Sequence, residues 1–154
     1  MVGFGYDSHR VGKGRKLVLG GVVVDEDFGA IAHSDGDVVI HSLIDAILGA
    51  LGKGDIGELF PDNDEKYKNI DSQLLLKEVL ILLSNFNRKI VNIDITVVYE
   101  LKKISPYKQQ IRKNLANIIG LDIDCVNVKA KTNEKMGFIG RGEGIAAFCV
   151  CQIE

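Results

Sequence analysis

Asp7 and His9 stand two residues apart in an alternating apolar stretch, Val2 to His9. On a strand, residues i and i+2 point to the same side, so this carboxylate and imidazole converge while Ser8 faces away. Asp oxygen and His nitrogen are both good zinc ligands, and one further ligand would complete a site with an open position. His41 is the candidate. It falls in an expected helix, on its polar face, and shares that face at i, i+4 spacing with Asp37 and Asp45. Asp45 is placed to accept a hydrogen bond from the ring nitrogen that a metal would leave free, fixing the tautomer. The competing reading is a surface Asp–His pair with a half-buried helix histidine. Against it, the chain has 3 His, and all of them fall in its first third beside these acids.

Three further clusters carry chemistry. Ala32-His33-Ser34-Asp35-Gly36-Asp37 precedes the same helix, where amides and the dipole favour an anion. There His33 and Ser34 add donors for a phosphate, and plain N-capping by Ser34 is the alternative. Gly54-Asp55-Ile56-Gly57 followed by Phe60-Pro61-Asp62-Asn63-Asp64 puts carboxylates on a loop suited to sugar-like hydroxyls or a hydrated metal, or simply to solvent. Lys129-Ala130-Lys131-Thr132-Asn133-Glu134-Lys135 ends a strand with groups able to hold phosphate and a hard cation together. The glycines at 137, 140, 142 and 144 match neither the dinucleotide nor the Walker spacing and read first as turn chemistry.

These residues need elements to position them. Leu17-Val18-Leu19 and Val22-Val23-Val24 flank Gly20-Gly21, a hairpin signature. Ser34 is the expected N-cap of a helix with apolar residues at Ile40, Leu43, Ile44, Ile47, Leu48 and Leu51, stopped by Gly52 and Gly54. Asp55 to Tyr67 reads as a polar loop. A second helix is expected from Asp71 or Ser72 to Asn85, and a strand over Val91–Tyr99 with Ile93, Ile95, Val97 and Tyr99 on one face. Ser105 as cap, Pro106 at the first position and Gly120 at the end frame a third helix. Strands follow at Val126–Lys131 and Gly144–Ile153. The interleaving predicts an α+β, two-layer fold over residues 1–154: a mixed sheet with helices on one face. A single chain of 154 residues has nothing left to cover the other face, which favours an oligomer.

Composition sets the remaining bounds. The net charge of −2 gives no electrostatic footprint for nucleic acid or an anionic membrane. No window is apolar for the ~18 residues a membrane span needs, and no signal or transit peptide is visible, so a cytoplasmic protein is expected. The 3 Cys read as reduced core thiols.

Asp7-Ser8-His9, Ala32 to Asp37, Gly54-Asp55-Ile56-Gly57 with Phe60-Pro61-Asp62, Val126 to Ala130, and Gly140-Arg141-Gly142-Glu143-Gly144-Ile145-Ala146 together resemble the 2-C-methyl-D-erythritol 2,4-cyclodiphosphate synthase family, in order, from Gly3 to about Ala146. The resemblance implies a lyase of the non-mevalonate isoprenoid pathway. It would convert 4-diphosphocytidyl-2-C-methyl-D-erythritol 2-phosphate to the cyclic diphosphate and CMP, as a homotrimer with sites between subunits, using Zn2+ and a second ion, Mg2+ or Mn2+. Carried over by position, Asp7, His9 and His41 would hold zinc and Glu134 the second cation. His33 and Thr132 would stabilise the transition state. Ser8 and Ser34 would touch substrate. Asp55, Ile56, Gly57, Phe60, Pro61, Asp62, Asn63 and Asp64 would bind the methylerythritol part. Tyr99 to Ser105, including Lys103, with Lys131, Thr132 and Asn133, would line the cytidine pocket of the adjoining subunit. Phe138 and Arg141 would lie near a cavity on the trimer axis.

The chain departs from that family at Tyr99-Glu100-Leu101-Lys102-Lys103, where small residues and a proline are usual, and at Lys131-Thr132-Asn133, where only the middle threonine of a run is kept. At Phe148 some relatives carry an acidic residue. Two other readings stay open: a zinc-dependent phosphohydrolase using the same ligands to activate water, and a non-catalytic trimeric binding module.

Overall fold

The computed structural model describes residues 1–154. In chain order the elements are β1 (Val2–Lys13), β2 (Leu17–Leu19), β3 (Val22–Asp25), β4 (Phe28–Ile31), α1 (Val38–Leu51), α2 (Ile56–Leu59), α3 (Ser72–Asn85), β5 (Ile90–Val98), α4 (Lys108–Ile119), β6 (Val126–Lys131), α5 (Gly137–Gly140) and β7 (Gly144–Ile153). Five strands form one sheet in the order β4-β1-β7-β5-β6, and β2 pairs with β3 as a separate hairpin. β1 runs antiparallel to β4 and β7, β5 antiparallel to β7, and only β5 and β6, joined through α4, are parallel. The sheet is therefore mixed, with α1 against β1 and β7 and α4 against β6 in a single helix layer. No helix is long and apolar enough to cross a membrane.

Several boundaries differ from expectation. The first strand continues past His9 to Lys13, because Arg10 to Lys13 pair with β4. β4 itself has no sequence signature, since Gly29 and Ala30 supply no alternation. The loop from Asp55 to Tyr67 contains α2 and a 3-10 turn at Glu65–Tyr67. Ser105 makes no side-chain cap. It opens a 3-10 turn, Ser105–Tyr107, that leads into α4, and Gly120 ends that helix as expected.

Helix α1 begins at Val38, and its cap is Asp37, not Ser34. Asp37 Oδ1 accepts from Val39 N and Ile40 N and from Gly20 N, while Oδ2 accepts from Gly21 N. Both hairpin glycines have positive φ, 57° and 77°, which turns their amides toward Asp37. One carboxylate thus ties the β2–β3 hairpin to the helix start. Burial, and then the neighbouring Asp35 carboxylate, push Asp37 up to about 7, against the pull of the Gly21, Ile40 and Gly20 amides.

Of the 14 residues of α1, 11 are buried, so it has no polar face. His41 is only 7% exposed. The helix reaches this depth because Gly3 and Gly5 present bare backbone to it. A Cβ on either would overlap a helix carbonyl, that of Ala46 or Ser42.

The sheet face away from the helices exposes Val2, Phe4, Tyr6, Phe148 and Val150. Phe148 stacks at 6.4 Å from Phe4 and 5.0 Å from Tyr6, centroid to centroid. Cys149 and Cys151 point the other way, into the core, and all three cysteines are free.

Candidate active site

Docking α1 on β1 sets His41 beside Asp7 and His9. Asp7 Oδ2 lies 3.0 Å from both His9 Nε2 and His41 Nδ1, and the two ring nitrogens are 3.2 Å apart. Burial alone would raise Asp7, but its hydrogen bonds to His41 and His9 outweigh that and hold it below the usual carboxylate range. Burial alone would lower His41, and the Asp7 carboxylate, with Asp37 and Asp35 behind it, holds it above the ordinary imidazole value.

These three donor atoms fit a divalent ion. Ligand atoms around a tetrahedral zinc stand about 3.3 Å apart, a spacing close to the one here. One oxygen and two nitrogens would supply three ligands, and a phosphate oxygen could take a fourth position.

Asp45 does not orient His41. Its Oδ1 accepts from Ile56 N at 2.8 Å, which fixes the start of α2. The outer nitrogen of His41, Nε2, meets Ser72 Oγ at 2.8 Å and Ser34 Oγ at 3.3 Å instead. Ser72 carries no sequence signal of a site beyond being a hydroxyl at the first position of a Leu-rich helix.

A cavity of about 420 Å³ opens beside the triad, lined by Asp7, His9, His33, Ser34, His41, Ile56, Gly57, Phe60 and Asp62 of the expected residues. Ile31, Ala32, Tyr67, Ile70 and Leu75 complete its wall. Phe60 and Tyr67 meet edge to face at 5.4 Å and form an apolar floor. His33 Nε2 lies 3.1 Å from the Asp64 carbonyl oxygen, which tethers the 60s loop to the motif before α1. Asp55 caps α2 through Glu58 N, and Pro61, Asn63 and Asp64 are exposed on the loop outside the cavity wall.

Most amides at the helix start are already taken within the chain. The amides of Gly36, Asp37, Val39 and Ile40 are taken by Ser34, Asp35 and Asp37 side chains, and that of Asp35 by the Ile70 carbonyl.

Lys103, Lys131 and Thr132 line a second cavity of about 350 Å³, with Tyr99, Glu100, Lys102, Ile104, Ser105 and Ala130. Glu100 accepts from Asn133 N at 2.9 Å and Lys135 N at 3.2 Å. That grip holds Glu134 and Lys135 at positive φ, 50° and 62°. Glu134 is exposed there, and its amide points at Thr132 Oγ1. Lys131, Val98, Ala146 and Ser8 are successive partners across the sheet, so Thr132 and the triad share one sheet end. Three strand spacings of about 4.8 Å separate them, roughly 14 Å. Ser8 and Phe138 line a third hollow on the outer face, with Arg10 and Glu143. Arg141 is exposed and paired with Glu143 at 2.9 Å.

The sequence matches the YgbB family over residues 1–154. It is 51% identical over 150 residues to the 2-C-methyl-D-erythritol 2,4-cyclodiphosphate synthase of Clostridium acetobutylicum, covering 97% of each chain. It is 53% identical over 152 residues to the synthase of the same name from Caldicellulosiruptor bescii, covering 99% of this chain and 97% of the relative. A solved 2C-methyl-D-erythritol-2,4-cyclodiphosphate synthase in a CDP-bound form superposes with TM-score 0.91 at 32% identity over all of both chains.

Proposed function

The chain belongs to the YgbB family, and from that we propose that it cyclises 4-diphosphocytidyl-2-C-methyl-D-erythritol 2-phosphate to 2-C-methyl-D-erythritol 2,4-cyclodiphosphate with release of CMP, a step of the non-mevalonate isoprenoid pathway. The observation that carries this reading is the convergence of Asp7, His9 and His41 at the mouth of a cavity that also holds His33. The CDP-bound relative supports a cytidine nucleotide as part of the substrate.

The substrate's 2-phosphate supplies the nucleophile, so the protein need only fold the substrate and neutralise charge. An oxygen of that phosphate bonds to the β-phosphorus, the bond from that phosphorus to the bridging oxygen breaks, and CMP leaves with the bridging oxygen. Asp7, His9 and His41 would hold zinc, which when bound supplies Lewis-acid polarisation of a phosphate oxygen. Phe60, Gly57 and the cavity wall hold the methylerythritol part and exclude water. His33 donates Nε2–H to a backbone carbonyl, so it offers a proton to a phosphoryl oxygen through Nδ1 only when both nitrogens carry one. The Thr132 hydroxyl accepts the Glu134 amide and keeps its own hydrogen for the same use. Lys103 and Lys131 face the nucleotide's charge from the second cavity. Glu134, a lone carboxylate, would share Mg2+ or Mn2+ with phosphate oxygens, the usual manner for these ions. Holding both phosphates in one geometry supplies up to about 7–11 kcal/mol of the barrier.

The two cavities lie at one sheet end but too far apart to meet across one diphosphate in a single chain. A second copy that brings its Thr132 cavity to the triad of the first completes the site. Such a contact is heterologous and closes as a ring. We take that ring to be a trimer, with the exposed Phe4, Tyr6 and Phe148 face turned inward, and Phe138 and Arg141 would then lie near its axis. The mass in solution is then about three times 16.9 kDa.

Incubation of the protein with the cytidyl substrate, Zn2+ and Mg2+, followed by phosphorus NMR, tests the reading. A cyclic diphosphate and CMP are expected. Linear hydrolysis products point to a phosphohydrolase, and bound substrate without turnover points to a binding module.

A further inference from the structure

Ser72 Oγ sits 2.8 Å from His41 Nε2 and is fully buried at the first position of α3. On its other side it donates to Asp35 Oδ1 in a short hydrogen bond, while Asp35 Oδ2 accepts from Ser72 N at 2.9 Å. Asp35 Oδ1 also accepts from Asp37 N. The Asp35 carboxylate is thus surrounded by donors and acts as an acceptor. A serine hydroxyl has one hydrogen and two lone pairs. With that hydrogen directed to Asp35, Ser72 can only accept from His41. His41 Nε2 must then carry a proton, so Nδ1, which faces Asp7 Oδ2 at 3.0 Å, is the ring nitrogen left to give up its proton to a metal.

We propose that Ser72 and Asp35 are positioning residues that fix His41 as its Nε2–H tautomer and so present Nδ1 as a metal donor. Neither residue touches the ion position; each acts through His41. The arrangement is the carboxylate–histidine relay of metal sites with a hydroxyl inserted between carboxylate and ring. It also links the metal position to the N-terminus of α3 across the gap between two helix starts. The inference rests on the metal reading of Asp7, His9 and His41.

The test uses the full-length chain with Zn2+ as the probe, measured by competition with a chromophoric chelator. Wild type is expected to bind one zinc per chain. Ser72→Ala leaves His41 Nε2 only the longer contact to Ser34 Oγ at 3.3 Å, and Asp35→Asn lets an amide N–H take the Ser72 lone pair and reverse the relay. Each is expected to weaken zinc binding 10–100-fold. Ser72→Thr, which keeps the hydroxyl, is expected to restore binding to within a few-fold of wild type in the same assay. A second readout needs no variant. Long-range proton–nitrogen correlations of the zinc-loaded wild type should show a proton on His41 Nε2 and none on Nδ1. A proton on Nδ1, or unchanged zinc affinity in both Ser72→Ala and Asp35→Asn, overturns the relay. Failure of the wild type to bind zinc at all overturns the metal reading beneath it.

Discussion

Gly5 of β1 lies directly under Ser42 of α1, and a side chain at Gly5 would overlap the Ser42 carbonyl oxygen. The obstacle is helix backbone, so no rotamer change relieves it. His41 is the next residue along that helix and Asp7 is two residues along that strand, so the glycine contact sets the approach of two metal-ligand candidates.

Gly5→Ala is therefore expected to lift α1 from the sheet. The loss should fall at the upper end of the overpacking range, about 3 kcal/mol, with zinc affinity lost in parallel. Chemical denaturation and chelator competition read both. Gly49→Ala on the same helix is the control. Its Cβ would meet only Phe4 O, at 3.8 Å. A gain of about 0.5–1 kcal/mol is expected there, as for any glycine in a helix interior.

Asp37→Ala removes the cap of α1 and the tether of the hairpin together. Four amides lose their acceptor, of which the helix pair alone is worth about 0.5–2 kcal/mol. A loss of at least about 2 kcal/mol is expected, moderated because burial already disfavours this charge. A loss below about 0.5 kcal/mol by urea denaturation would contradict the double role.

That double role also marks what could be read from sequence. Asp7 and His9 were legible because a strand's period of two needs no tertiary information. The β5 core, Ile93, Ile95 and Val97, was legible for the same reason. Ser34 and Asp37 are both good caps three residues apart, and only the position of the Gly20–Gly21 turn decides between them. Asp45 shares a helix face with His41, but the Ile56 amide, brought in by a turn, claims its carboxylate. Gly3 and Gly5 sit in a strand pattern, and nothing local says that a helix carbonyl lies over each of them. Ser72 reaches His41 across 31 residues of chain, a contact no local pattern encodes.

The inward thiols make a pH prediction. Burial pushes Cys151 up to about 12, and Cys149 well above its ordinary value of 9.0. Below pH 9 both folded and unfolded chains keep these protons, so stability is unaffected. Above it the unfolded chain ionises first, and stability falls as pH rises toward 12, by up to about 1.4 kcal/mol per pH unit for each thiol. Cys151→Ala should make that decline shallower between pH 9 and 11. At pH 8, iodoacetamide should label at most one thiol of the native protein, Cys125, and all 3 in denaturant. Rapid labelling of Cys149 or Cys151 would show that the sheet's inner face is open.

His9 is the candidate ligand to remove when the fold must survive. Its side chain is 19% exposed, whereas His41 fills the core and holds Ser72. His9→Ala should lower zinc affinity at least about 100-fold while leaving the melting temperature in chelator within a degree or two. Zinc retained at wild-type affinity would exclude His9 from the site.

The claim that one chain's triad works with another chain's Thr132 cavity is tested most directly by complementation. His9→Ala and Thr132→Ala, each inactive alone, are unfolded together in equal amounts and refolded. In a ring of three, every mixed assembly contains one junction with both halves intact, so activity should return to roughly a quarter of wild type. No recovery from a mixture whose mixed assemblies are verified by mass spectrometry would place the whole site within one chain and contradict the account.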